Sequence, residues 1–76
     1  MRDKLMLPET KKRIRELIER ILIERGLRLM DVALESKSSY RTVYMFFNAP
    51  EKIGVNSMSK LAHFITKNGY KLEDFV

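Results

Sequence analysis

Residues 29–48 read LMDVALESKSSYRTVYMFFN, and the break in the middle of this stretch decides the fold. Ahead of the break, Leu29 to Glu35 reads as a short helix that turns Val32 and Ala33 inward and keeps Asp31 and Glu35 in water. Ser36, Lys37, Ser38 and Ser39 then interrupt it, because serine hydroxyls compete for backbone hydrogen bonds and favour caps and tight turns. Beyond the break, Tyr40 to Phe47 forms a second short helix. Ser38 or Ser39 caps it, Asn48, Ala49 and Pro50 close it, and Val43 and Phe46 point inward. Phe46 and Phe47 are adjacent, so one helix cannot bury both equally.

The flanking segments are helical as well. Pro8 followed by Glu9 suits the first turn of a helix. Ile14, Leu17, Ile18, Ile21 and Leu22 recur at i, i+3, i+4, i+7 and i+8, one apolar stripe that runs to about Arg25, where Gly26 supplies a stop. Pro50 to Val55 reads as a surface loop. Asn56 or Ser57 then caps a helix to about Asn68 with Met58, Leu61, Ala62 and Ile65 buried, and Leu72 to Val76 adds one more turn. No segment alternates as a strand would. The expected fold is all-α, a compact bundle of four to five short helices. Residues 9–76 form its one domain, and residues 1–8 form a flexible basic arm carrying Arg2 and Lys4.

At 76 residues, 45% hydrophobic and 33% charged, the chain has material for one core and not two. It has no cysteine, hence no disulfide framework and no thiolate metal site. Its longest apolar run, Ile21 to Ile23, is far short of a membrane span, and no signal-peptide core follows the start. A soluble, cytoplasmic protein is expected. Catalysis has little to work with. His63 is the sole histidine, no glycine-rich phosphate loop exists, and Glu73-Asp74 is the one carboxylate pair of note. No metal, cofactor or small-molecule substrate is expected, and the methionines, Met30, Met45 and Met58 among them, read as core filler. The formal charge is +5, and from Met1 to Arg28 nine Lys and Arg stand against five Asp and Glu. Such an excess favours a polyanionic partner, although a solvated helix face has the same composition.

Two short helices joined by a tight turn, with small Ala33 on the first and branched Val43 on the second, are the ingredients of a helix-turn-helix, in which the second helix crosses the first closely and enters the DNA major groove. From Arg13 to Phe75 the chain resembles the lambda-repressor and Cro-like DNA-binding family. The resemblance is carried by Gly26-Leu27, Asp31-Val32-Ala33, Thr42-Val43-Tyr44-Met45-Phe46-Phe47-Asn48, Ser59-Lys60-Leu61-Ala62 and Leu72-Glu73-Asp74-Phe75. It implies a small transcriptional regulator, by type a repressor of the kind common in phages and plasmids, bound to double-stranded DNA. Two departures stand out. Arg28 and Leu29 occupy the place of the usual Ser or Thr cap and Gln, and Ser36-Lys37-Ser38 replace a glycine flanked by apolar residues, so Lys37 needs a positive φ or a rebuilt turn.

The resemblance implies that Ser39, Tyr40, Arg41, Tyr44 and Met45 face the bases. Arg41 is the foremost reader, since a guanidinium can bond guanine twice, and a phosphate clamp is its alternative role. Arg28, Ser38, Asn48, Lys52, Lys11 and Lys12 are expected at phosphates. Tyr70, Phe75 and Val76 are the candidate homodimer interface, with packing in the monomer core as the alternative. An interaction module of antitoxin or anti-repressor type, docking a protein through exposed aromatics, is the competing function.

Overall fold

A computed structural model describes residues 2–75, and for 2, 3 and 72 it describes the backbone alone. Five α-helices follow in order: α1 (Arg2–Leu5), α2 (Pro8–Arg25), α3 (Leu29–Ser36), α4 (Tyr40–Asn48) and α5 (Val55–Lys67). Single 3₁₀ turns follow α4 (Pro50–Lys52) and α5 (Leu72–Asp74), and there is no strand among the described residues. The all-helical expectation holds, and the boundaries read from the sequence for α2, α3 and α4 lie within a residue of those observed.

One core runs through the molecule. Ile14, Leu17, Ile18 and Ile21 of α2, Val32 and Ala33 of α3, Val43 and Phe46 of α4, and Met58, Leu61, Ala62, Phe64 and Ile65 of α5 are all buried in it. α5 is the hub, lying against α1, α2 and α3, while α4 packs on α3 and on the 3₁₀ turn that follows it. Burying each large aliphatic or aromatic side chain contributes about 1.5–3 kcal/mol before chain entropy is subtracted. None of the described helices is long and apolar enough to cross a membrane.

Three expectations need correction. Residues 2–5 form α1 in place of a flexible arm, because Leu5 is an apolar anchor that enters the core while α1 lies against α5 and α2. The cap of α5 is Gly54, with Asn56 and Ser57 already inside the helix. Phe64, absent from the stripe read for that helix, is fully buried. It follows Leu61 at i+3, so the apolar face of α5 is wider than the sequence reading made it.

Two helices end in the same way. At the end of α2, Gly26 adopts a left-handed conformation (φ 66°) and the Leu27 N–H donates back to the Leu22 carbonyl at 2.9 Å. At the end of α3, Lys37 takes the same conformation (φ 59°), the Ser38 N–H donates to Ala33 at 2.9 Å, and the Lys37 N–H donates to Leu34 at 3.3 Å. This is a Schellman closure with lysine where glycine is preferred. A left-handed residue bearing a Cβ costs about 1–2 kcal/mol, partly offset by the greater chain entropy glycine loses on folding. Lys37→Gly is therefore expected to stabilise the protein by about 0.5–1 kcal/mol in denaturant unfolding. A loss of stability would mean that the lysine side chain contributes more than its backbone strain costs.

Candidate functional site

The α3–turn–α4 unit buries one apolar face and turns a mixed one outward, aromatic and basic on α4 and apolar on α3, where Leu34 is exposed and so is Met30, which was expected as core filler. Val43 and Phe46 are fully buried, and Ala33 supplies the small surface on α3 at this junction. Spacing along α4 then carries Tyr40, Arg41, Tyr44 and Asn48 to the opposite, exposed side. Tyr40 and Tyr44, 45% and 52% exposed, form a tilted ring pair with centroids 6.3 Å apart. Arg41 lies beside them, with no ion-pair partner among the described residues.

Four residues of the same stretch make contacts of their own, among them Ser39 and Met45, expected to face the bases, and Asn48, expected at a phosphate. Ser39 is exposed but is the N-cap of α4. Its hydroxyl accepts from the Thr42 N–H at 3.1 Å and shares a 2.8 Å hydrogen bond with the Thr42 hydroxyl. Met45 is half-buried and packs on the core, so it is not an outward reader. Phe47 is half-buried too, edge-on to Phe46 at 5.6 Å, with the Arg15 guanidinium 5.6 Å above its ring. Asn48 is exposed, and its side-chain amide donates to the Tyr44 carbonyl at 2.8 Å.

The cations divide into free and committed groups. Arg28, Lys12 and Lys52 are exposed. Arg28 is the N-cap of α3, and its N–H donates to Asp31 Oδ2 at 2.8 Å, the return half of a capping box, while no side chain accepts from the first turn as a Ser or Thr cap would. Lys37, which the sequence reading treated only as a turn residue, adds an exposed cation just ahead of α4. Lys11 must be withdrawn as a phosphate contact. It is buried, and its ammonium donates to the Pro50 carbonyl at 2.8 Å and the Ile53 carbonyl at 3.0 Å, closing the 3₁₀ turn onto α2. Ser38 is withdrawn as well. Its Oγ is buried with no hydrogen-bond partner, because it fills the place after a Schellman turn where an apolar side chain normally packs.

At the far end of α3 an exposed clamp fixes the orientation of the unit. Arg25 donates to both Glu35 carboxylate oxygens at 3.0 Å and to Asn68 Oδ1 at 2.6 Å, tying the ends of α2, α3 and α5 together. The hydrogen bonds to Glu35 push the pKa of Arg25 further above its already high value, so its charge persists at every ordinary pH.

The proposed dimer residues are largely spent inside the monomer. Phe75 is buried in the core and Tyr70 is packed against it, since the last 3₁₀ turn is pinned by Arg13 Nε donating to the Asp74 carbonyl and by the Lys71 N–H donating to Asp74 Oδ2. Val76 lies outside the described residues. No three His, Asp or Glu side chains among the described residues gather as a metal would require. In comparisons with protein-family models, curated proteins and solved structures, the chain matches none.

Proposed function

We propose that this protein binds double-stranded DNA in a sequence-specific manner, as a small transcriptional regulator of repressor type. In this reading α3, the turn at 37–39 and α4 form a helix-turn-helix that lays α4 in the major groove. The observation that carries it is the outward face of α4. Arg41 stands there unpaired among the described residues, beside a pair of exposed tyrosines, on a helix whose other face is locked into the core. A helix of about 10–12 Å diameter fits a groove about 12 Å wide.

Within that groove Arg41 reads guanine through its two parallel donors, and Tyr44 meets a thymine methyl with its ring or a phosphate with its hydroxyl. Arg28, Lys37 and Lys52, near the ends of the unit, neutralise phosphates and set the register, and Asn48 adds a neutral backbone contact. Lys12, on α2, is a more distant phosphate contact.

Selection from a random duplex pool tests this. The parent protein is expected to enrich a defined site. Arg41→Ala is expected to lose about 1–3 kcal/mol of discrimination at one base pair, roughly tenfold to a hundredfold in affinity. Salt-sensitive binding without an enriched site would reduce the reading to general electrostatics. No binding at low salt would sink it.

One observation favours the competing reading. Met30 and Leu34 form an apolar i, i+4 pair on the outer face of α3, with Leu34 70% exposed, and apolar side chains in water at that spacing suit a protein partner. Failure of DNA binding would promote this surface.

A further inference from the structure

We infer that the groove between the start of α2 and the 3₁₀ turn after α4 is a binding site for an amphipathic monoanion, a ligand with a compact apolar body and one carboxylate. The groove encloses about 500 Å³ and is lined by Met6, Pro8, Lys12, Arg15, Pro50 and Glu51, with Lys11 beneath. That volume is within the range of small-molecule sites. Met6 and the two prolines give it hydrocarbon walls. Lys11 contributes only its aliphatic stem, because its ammonium is committed to the Pro50 and Ile53 carbonyls.

Charge complementarity selects the occupant. Lys12 and Arg15, three residues apart on one helix face, bring two cations to the groove, and Glu51 brings one carboxylate. Lys12 has no ion-pair partner among the described residues, whereas Arg15 lies 3.4 Å from Glu19. The Lys11 ammonium keeps its charge on two neutral carbonyls, and Glu19 sits beside Arg15, so three cations stand against two carboxylates. The net excess is a single positive charge, which matches a monocarboxylate, while Glu51 repels a phosphate-rich polyanion. The apolar walls require that the anion carry a hydrophobic body. Arg15 also covers Phe47 of α4, so an anion that draws on Arg15 is felt at that helix. The site does not rest on DNA binding, although Lys12 serves both surfaces.

The test is titration of the isotopically labelled full chain with 1-naphthoate, followed by amide NMR, with 1-naphthalenemethanol and inorganic phosphate in parallel. Saturable shifts concentrated at residues 6–15 and 50–53 are expected for naphthoate. The neutral alcohol should bind about tenfold more weakly, the equivalent of one lost charged hydrogen bond. A Lys12→Ala, Arg15→Ala double variant, altered only at exposed positions, should lose naphthoate affinity to a similar extent, and Glu51→Gln should tighten it. Equal binding of the alcohol would overturn the proposal by reducing the site to an apolar patch. Phosphate binding as tight as naphthoate would overturn it in favour of a phosphate surface. Scattered or non-saturating shifts would remove the site altogether.

Discussion

Replacing Lys11 by alanine is expected to lower the stability of this protein by about 3 kcal/mol, the effect of losing hydrogen bonds from a charged donor while leaving carbonyls underpaired. A domain of 76 residues has roughly 4–11 kcal/mol in total, so a large share rests on one lysine. The reason is position. The Lys11 ammonium reaches carbonyls 39 and 42 residues further along the chain, and these two contacts fasten the segment after α4 to α2. In thermal unfolding, followed by circular dichroism, the midpoint should fall by roughly 10–20 °C. Lys11→Met separates the causes, since it keeps an apolar stem and removes the donor. It should recover little of the loss. If Lys11→Met were as stable as the parent, the two carbonyls would be satisfied by water, and the stem alone would matter.

Lys11 also shows what the sequence could and could not reveal. It sits on the same stripe as Ile14, Ile18 and Ile21, at i, i+3, i+7 and i+10, so periodicity already placed its stem toward the core. Reading it among its neighbours Lys12 and Arg13, as part of a basic run, concealed that signal. Where the ammonium ends could not be read, because the acceptors are loop carbonyls whose positions depend on tertiary packing. Leu5 was missed for a related reason, and the burial of Phe75 stood only as the alternative to a dimer interface. Each lies in a short apolar stretch, Leu5 beside Met6 and Leu7 and Phe75 near Leu72, with too short a repeat around it to set a period, and only packing against the finished bundle buries it. By contrast, the long stripes of α2 and α5 and the serine-rich break before α4 were legible, since each rests on local rules of spacing and capping. The left-handed Lys37 was legible only in part, since the sequence offered either a positive φ there or a rebuilt turn, and the chain takes the first.

The candidate surface divides along the same line. Tyr40, Arg41 and Tyr44 are exposed as the helical period requires. Met45 and Ser38 were assigned by their place in the chain, and their side chains turn inward because the α3–α4 junction needs volume there. Without the usual apolar residues around the turn, that junction depends heavily on what α4 itself supplies.

For that reason Phe46→Ala is expected to be the most damaging substitution in α4, at about 3–5 kcal/mol, with Phe47→Ala costing much less. The two residues share chemistry and are adjacent, so the difference isolates position. Phe46 is fully buried and anchors α4 in the core, whereas Phe47 is half-buried, with its ring partly covered by Arg15. Removing the Phe46 ring opens a cavity at the junction of α3 and α4, and the buried Ser38 hydroxyl beside the turn cannot make good the lost apolar contact. Denaturant unfolding of both variants provides the measurement. Phe46→Ala should shift the midpoint strongly and leave α4 poorly packed. Under the proposed function it should also abolish enrichment of a DNA site even where the protein remains helical, although Phe46 would never touch the duplex. Phe47→Ala should retain site selection. Equal losses from the two substitutions would mean that the half-buried ring and its arginine carry as much of the α4 anchorage as the core does. A stable Phe46→Ala variant that still selected its site would show that α4 is held mainly by its ends.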